Sequence, residues 1–137
     1  MSISLVLADD HPLTREGMKA YLAKETDFNI LGSYADGESA WAGIQQLKPQ
    51  VALLDIRMPG IDGVALARKI KDASLPVASL MLTSYDAQQY VMASLRAGAR
   101  GYVLKTASMD TLSKAIRIVA RGGFYLDSEV VNAVEQE

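Results

Sequence analysis

Strand-length apolar runs and amphipathic helical stretches alternate five times along this chain, and that alternation limits its fold more than any single residue does. The run Ile3–Ala8 stops at Asp9-Asp10, and a helical pattern follows over 12–25 with Leu13, Gly17, Met18, Tyr21 and Leu22 on one face. A weaker strand at 28–35 leads to a helix whose apolar positions are Ala40, Trp41, Ile44 and Leu47. Val51–Asp55 reads as a buried strand, followed by a helix marked by Val64, Leu66, Ala67 and Ile70. The cycle continues with a strand at 77–83, a helix carrying Tyr90, Val91 and Leu95, and a short strand at 102–104. A last helix with Leu112, Ala115, Ile116 and Val119 ends before Gly122-Gly123. Near-continuous apolar strands separated by helices predict an α/β fold with a parallel sheet covered on both faces.

In such a sheet the loops at the carboxyl ends of the strands converge on one crevice. Asp9, Asp10, Asp55, Thr83 and Lys105 all fall at such ends, although four separate parts of the sequence supply them. The stretch VALLDIRMPGIDG at 51–63 poses the problem most sharply: a buried strand ends in a carboxylate, which is costly unless something charged or protic meets it.

Composition narrows the chemistry. The chain has 137 residues, enough for one domain with a real core. It has no cysteine, which excludes disulfides, thiolate catalysis and cysteine-held metals, and its single histidine excludes a multi-histidine metal cluster. The net charge of −2 argues against the chain as a whole being a nucleic-acid surface. No apolar run has the length of a membrane span, and the N-terminal MSISLVLADDH lacks a basic leader, so a cytoplasmic domain is expected.

Three clustered carboxylates repel one another and call for a cation. With oxygen ligands available, a hard ion suits them, Mg²⁺ or Mn²⁺ in its place. Lys105 would add a point charge and Thr83 a hydroxyl donor, and such a pocket suits a phosphoryl group. Asp55 would be the nucleophile, since carboxylates form acyl phosphates, with the cations countering charge on the transferred oxygens.

Four motifs, LADDH at 7–11, LDIRMPGIDG at 54–63, LTS at 82–84 and AGARGYVLK at 97–105, together resemble the receiver domain of bacterial two-component response regulators. The resemblance covers essentially residues 2–121 and implies a flavodoxin-like, doubly wound, five-stranded parallel sheet of strand order 2-1-3-4-5 with five helices. It implies that Asp55 is the phosphoacceptor, that Asp10 ligates Mg²⁺ directly and Asp9 mainly through water, and that the backbone carbonyl of Arg57 is a further ligand. Thr83 and Lys105 match the switch hydroxyl and the phosphate-binding lysine, and Tyr102 the aromatic that swings inward when the threonine moves. Pro59 and Gly63 shape the loop after the acceptor strand. Many receivers carry a cis proline after the lysine; Thr106 stands there instead, so a trans bond is expected.

That departure, with RIVARGG at 117–123 and DSEV at 127–130, resembles the NarL/FixJ branch. Members of that branch usually carry a C-terminal LuxR-type helix-turn-helix, so residues 1–121 are expected to form the receiver and 122–137 a linker remnant or short terminal helix. The implied partners are a sensor histidine kinase, a second copy of the chain on phosphorylation, and DNA only through the absent output domain. Two rival functions are a phosphorylation-independent pseudo-receiver and an Mg²⁺-dependent phosphohydrolase. The basic Arg57, where a hydrolase wants a second acid, argues against the latter.

Several residues have plainer readings. Trp41, Met58 and Met81 are expected to pack, and His11, at the entry to the first helix, to serve as a loop or capping residue. Lys105, Lys114, Arg117 and Arg121 against the one acid Asp110 form either a partner face or a solvated surface.

Overall fold

A computed structural model describes residues 2–84 and 88–127. The strands are β1 (Ile3–Ala8), β2 (Phe28–Tyr34), β3 (Val51–Asp55), β4 (Ala78–Thr83), β5 (Gly101–Leu104) and β6 (Tyr125–Leu126). The helices are α1 (Pro12–Leu22), α2 (Gly37–Leu47), α3 (Gly63–Asp72), α4 (Gln88–Arg96) and α5 (Met109–Ala120). All strand pairs are parallel, in the order β2-β1-β3-β4-β5-β6. The order reverses between β1 and β3, and there the crevice opens.

Successive residues of a strand face opposite sides, so a strand covered on both sides must be apolar throughout. Val6, Ala8, Ala52, Leu54, Met81, Tyr102 and Leu104 face one layer, packed on α2, α3 and α4 through Ile44, Leu66, Ile70 and Val91. Leu5, Leu7, Leu53, Leu80, Leu82 and Val103 face the other, packed on α1 and α5 through Met18, Leu22, Leu112, Ile116 and Val119. Each such aliphatic side chain contributes about 1.5–3 kcal/mol through burial. Met58 and Met81 are buried as expected, and Trp41 packs against the first layer.

The α1 expectation needs correction. Met18 and Leu22 are buried, but Leu13 is 91% exposed and Gly17 is also exposed. Leu13 and Gly17 share their face with Met18 and Tyr21 but line an open groove rather than the core.

The sheet also has one strand more than expected. Tyr125 and Leu126 pair with Gly101 and Tyr102, covering the outer edge of β5, which would otherwise expose unpaired backbone groups. The tail therefore joins the fold at least to Leu126, past residue 121. The helix expected around Glu129, Val130, Val131 and Val134 lies outside the described residues.

Among the described residues, three helices start on side-chain caps. Asp36 accepts from the Ser39 N–H, Asp62 from the Ala65 N–H and Ser108 from the Thr111 N–H. At the opposite edge of α5, Arg117 donates to both Asp27 carboxylate oxygens and to Glu25 Oε2, each at 2.9 Å, and lies over the Phe28 ring. Arg117 thus ties α5 to the turn before β2.

Gly63 opens α3 directly against the backbone of β3; a Cβ there would collide with the Asp55 carbonyl oxygen, and its N–H donates to the Ile56 carbonyl at 3.0 Å. Gly63→Ala should therefore push the β3–α3 loop outward and lower stability by about 1–3 kcal/mol, read by urea unfolding. An alanine variant as stable as the wild type would show that the loop yields freely.

Candidate phosphoryl-transfer site

Asp55 is the last residue of β3 and Asp9 follows β1, its direct neighbour. Thr83 ends β4 and Lys105 follows β5. The Lys105 N–H donates to the Thr83 carbonyl at 2.7 Å, which extends the β4–β5 pairing by one step into the site. Four adjacent parallel strands thus deliver four polar residues to one rim. His11, Asp55, Arg57, Thr83, Ser84 and Lys105 line a cavity of about 220 Å³ there. A larger groove of about 390 Å³ lies between α1 and α5, lined mainly by apolar residues such as Leu13, Met18 and Met109; it lacks carboxylates, so the chemistry belongs to the smaller cavity.

Lys105 Nζ is the centre of this charge arrangement. It donates to Asp55 Oδ2 at 3.1 Å and stands 2.9 Å from Asp9 Oδ2. Asp9 is fully buried and Asp55 is 3% exposed, so neither carboxylate gets much help from water. Burial alone would raise Asp9, but the His11 backbone N–H at 2.9 Å and the Lys105 ammonium hold its carboxyl below the usual range. For Asp55 burial wins: desolvation, aided by the Asp9 charge, pushes it up to about 6 despite Lys105 and the Arg57 N–H. Burial pulls Lys105 down, but the two carboxylates outweigh that and raise it.

The structure brings together Asp9, Asp10, Asp55, Thr83 and Lys105 as expected. Arg57 lies on the same rim, and its guanidinium reaches outward to donate to Tyr90 Oη at 2.9 Å. Tyr102 is fully buried in the layer packed on α4, so its ring occupies the inward position. The bond after Lys105 is trans, with no cis peptide among the described residues.

His11 sits in the loop at the entry to α1, as expected. It holds the N-cap position of α1 without a side-chain cap hydrogen bond, and its ring turns instead into the carboxylates. The one available signal was adjacency: a residue next to two acids on a short strand-to-helix loop shares their space. The Arg57–Tyr90 bond, 33 positions apart in sequence, had no such signal.

The donor set fits a divalent cation. Asp9, Asp10, His11 and Asp55 can each place a ligand atom within 4.8 Å of the others. Asp10 Oδ1 is closed off from solvent without a hydrogen bond, and Asp9 Oδ2 has the Lys105 charge but no aligned hydrogen bond. Such acceptors suit a metal ion.

A folded-state pKa raised to about 6 means that the native protein holds the Asp55 proton more tightly than the unfolded chain. The group's contribution is favourable below about pH 4 and is lost as pH rises through about 6. In metal-free buffer Asp55→Asn should therefore be more stable than wild type at pH 7, by on the order of 2–3 kcal/mol, with the gap closing near pH 4. Thermal unfolding of both proteins across that range checks this; a gap independent of pH would overturn it.

Comparison with known proteins agrees with this geometry. Residues 5–117 match the family model described as response regulator receiver domain. The chain is 38% identical over 135 residues to the transcriptional regulatory protein DegU of Brevibacillus brevis, covering 98% of this chain and 57% of the relative. It is 40% identical over 120 residues to the uncharacterized transcriptional regulatory protein YxjL of Bacillus subtilis, covering 88% and 55%. The chain thus spans little more than half the length of these relatives. Among solved structures, the signal receiver domain of the putative response regulator NarL from Mycobacterium tuberculosis superposes with a TM-score of 0.86 at 36% identity, covering 88% of this chain and 98% of that one. The response regulator ChrA of a heme-sensing two-component system superposes with a TM-score of 0.83 at 36% identity, covering 98% and 65%. With the βα alternation, the strand order and the buried carboxylate–lysine cluster already in place, this chain belongs to the response regulator receiver domain family.

Proposed function

We propose that this chain accepts a phosphoryl group from the phosphohistidine of a sensor kinase onto Asp55, with Mg²⁺ bound, and so switches a surface that meets a partner or a second copy. The observation that carries this reading is the Lys105 ammonium held between Asp55 Oδ2 and Asp9 Oδ2, beside Thr83, in one small cavity.

Asp55 attacks phosphorus; the new bond is O–P, the bond that breaks is the donor's N–P bond, and the donor imidazole regains its proton. Lys105 has three N–H donors, so with two carboxylates to serve it retains one for a phosphoryl oxygen. The Thr83 hydroxyl stands on the same wall to take another. Mg²⁺, held by Asp9, Asp10, Asp55 and the Arg57 carbonyl, would neutralise charge on the transferred group. Movement of Thr83 toward the phosphoryl oxygens would secure Tyr102 inward and bias the α4–β5 surface between two states.

The same reading gives the chain no independent substrate. The receiver runs through β6 to Leu126, and the residues after it lead toward an output domain that carries DNA binding; the kinase's donor meets the site in the cytoplasm. Among the described residues, no helix is long and apolar enough to cross a membrane.

Incubation with Mg²⁺ and acetyl phosphate, followed by intact mass and sizing, tests the proposal. Wild type should gain one phosphoryl mass and shift in size, while Asp55→Asn gains none; stable labelling of the variant, or no adduct on wild type and no response to beryllofluoride, would overturn it. Lys105→Met should cut phosphorylation more than Mg²⁺ affinity, because it faces phosphate. An equal loss in calorimetric Mg²⁺ binding would remove Lys105 from that role.

A further inference from the structure

His11 is the only histidine of the chain, and the phosphotransfer reading leaves it without a task. Its Nδ1 lies 3.1 Å from Asp9 Oδ1, 3.1 Å from Asp10 Oδ1 and 3.8 Å from Asp55 Oδ2. A ring nitrogen carries one proton or one lone pair, so a single hydrogen bond explains one of these approaches and leaves the others. Two ligands in adjacent positions around one octahedral ion, each about 2.1 Å from it, are themselves about 3.0 Å apart. The spacing around Nδ1 is therefore close to that of a coordination shell. Asp10 Oδ1, one of the atoms facing Nδ1, is closed off from solvent and makes no aligned hydrogen bond.

We infer that His11 supplies a nitrogen donor to the divalent-cation site of Asp9, Asp10 and Asp55, and that this donor raises the site's affinity for Mn²⁺, Co²⁺ and Ni²⁺ relative to Mg²⁺. The inference rests on the metal-assisted reading of the site and adds a ligand that the resemblance did not assign. Mg²⁺ prefers oxygen and gains little from imidazole. Ions further along the first transition row gain more, Ni²⁺ above Mn²⁺. The ring is largely exposed, with 62% of its side-chain surface accessible, so it can adjust to an ion without repacking the core.

Mn²⁺ bound to the untagged protein gives the direct test, because any imidazole coupling must then come from His11. Pulsed electron paramagnetic resonance should show a directly bound ¹⁴N in the wild type, converted to ¹⁵N in protein made with labelled histidine and lost in His11→Gln. Calorimetry should show Ni²⁺ affinity falling by about 10–100-fold in His11→Gln, the loss that even an outer-shell partner's removal causes, with Mg²⁺ affinity near that of wild type. Bound Mn²⁺ without nitrogen coupling, or equal losses for Ni²⁺ and Mg²⁺, would overturn the role of His11 and leave the metal site standing. Absence of Mn²⁺ binding, or binding unchanged in Asp10→Asn, would overturn the metal reading and the inference with it. The labelled-histidine measurement needs no variant, so a folding defect in His11→Gln does not cloud it.

Discussion

The rest of the structure depends on one ammonium group between two buried carboxylates. Asp9 follows β1 and Asp55 ends β3, and parallel pairing of the two strands brings them together at the carboxyl end of the sheet. Two carboxylates so placed, away from water, destabilise the fold unless a cation meets both, and removing the partner of a buried charge costs about 3–5 kcal/mol. Lys105 is that cation, and it must come from beyond the intervening strand. The backbone bond from Lys105 to Thr83 fixes where its side chain starts, and the long stem reaches across the end of β4 to both acids. Strand order, loop direction and site chemistry are therefore one constraint.

Within that arrangement the two acids are not equivalent, and the difference lies in their local donors. Asp9 receives the His11 N–H as well as the ammonium charge, so its charged form is stabilised despite complete burial. Asp55 has fewer compensating donors and feels Asp9 beside it, so its proton is held longer. The two acids thus hold their protons differently because burial acts on both while their local donors differ.

Most of the fold was legible because its signals were redundant. The bounds of Val51–Asp55 were legible because the apolar run from Val51 to Leu54 follows Pro49 and meets the carboxylate of Asp55, and both faces are covered. The convergence of Asp9, Asp55, Thr83 and Lys105 was legible because parallel α/β topology brings strand ends together whatever lies between them. What failed was local or long-range detail. Leu13 fits an apolar helical face by spacing, yet it lies on an open groove and stays exposed, which periodicity does not encode. A two-residue strand such as β6 is too short for any pattern; it forms because the edge of β5 is there to be paired. The place of His11 at the helix start was legible, but not the approach of its ring to Asp9 and Asp10, because adjacency in sequence does not fix which way a ring turns.

The same geometry explains how a change confined to a small cavity can reach the surface. Arg57 stands two residues after Asp55 and bonds Tyr90 on α4 at 2.9 Å, with the guanidinium also 5.4 Å from the centre of that ring. Lys105 lies three residues after Tyr102, whose ring fills the layer beneath α4. The rim that holds the charge is thus attached to α4 twice, once from outside by a polar contact and once from inside by packing. Close-packed interiors respond to a displaced wall by moving between discrete arrangements rather than by yielding gradually. A displacement of the rim would therefore load both attachments to α4 at once.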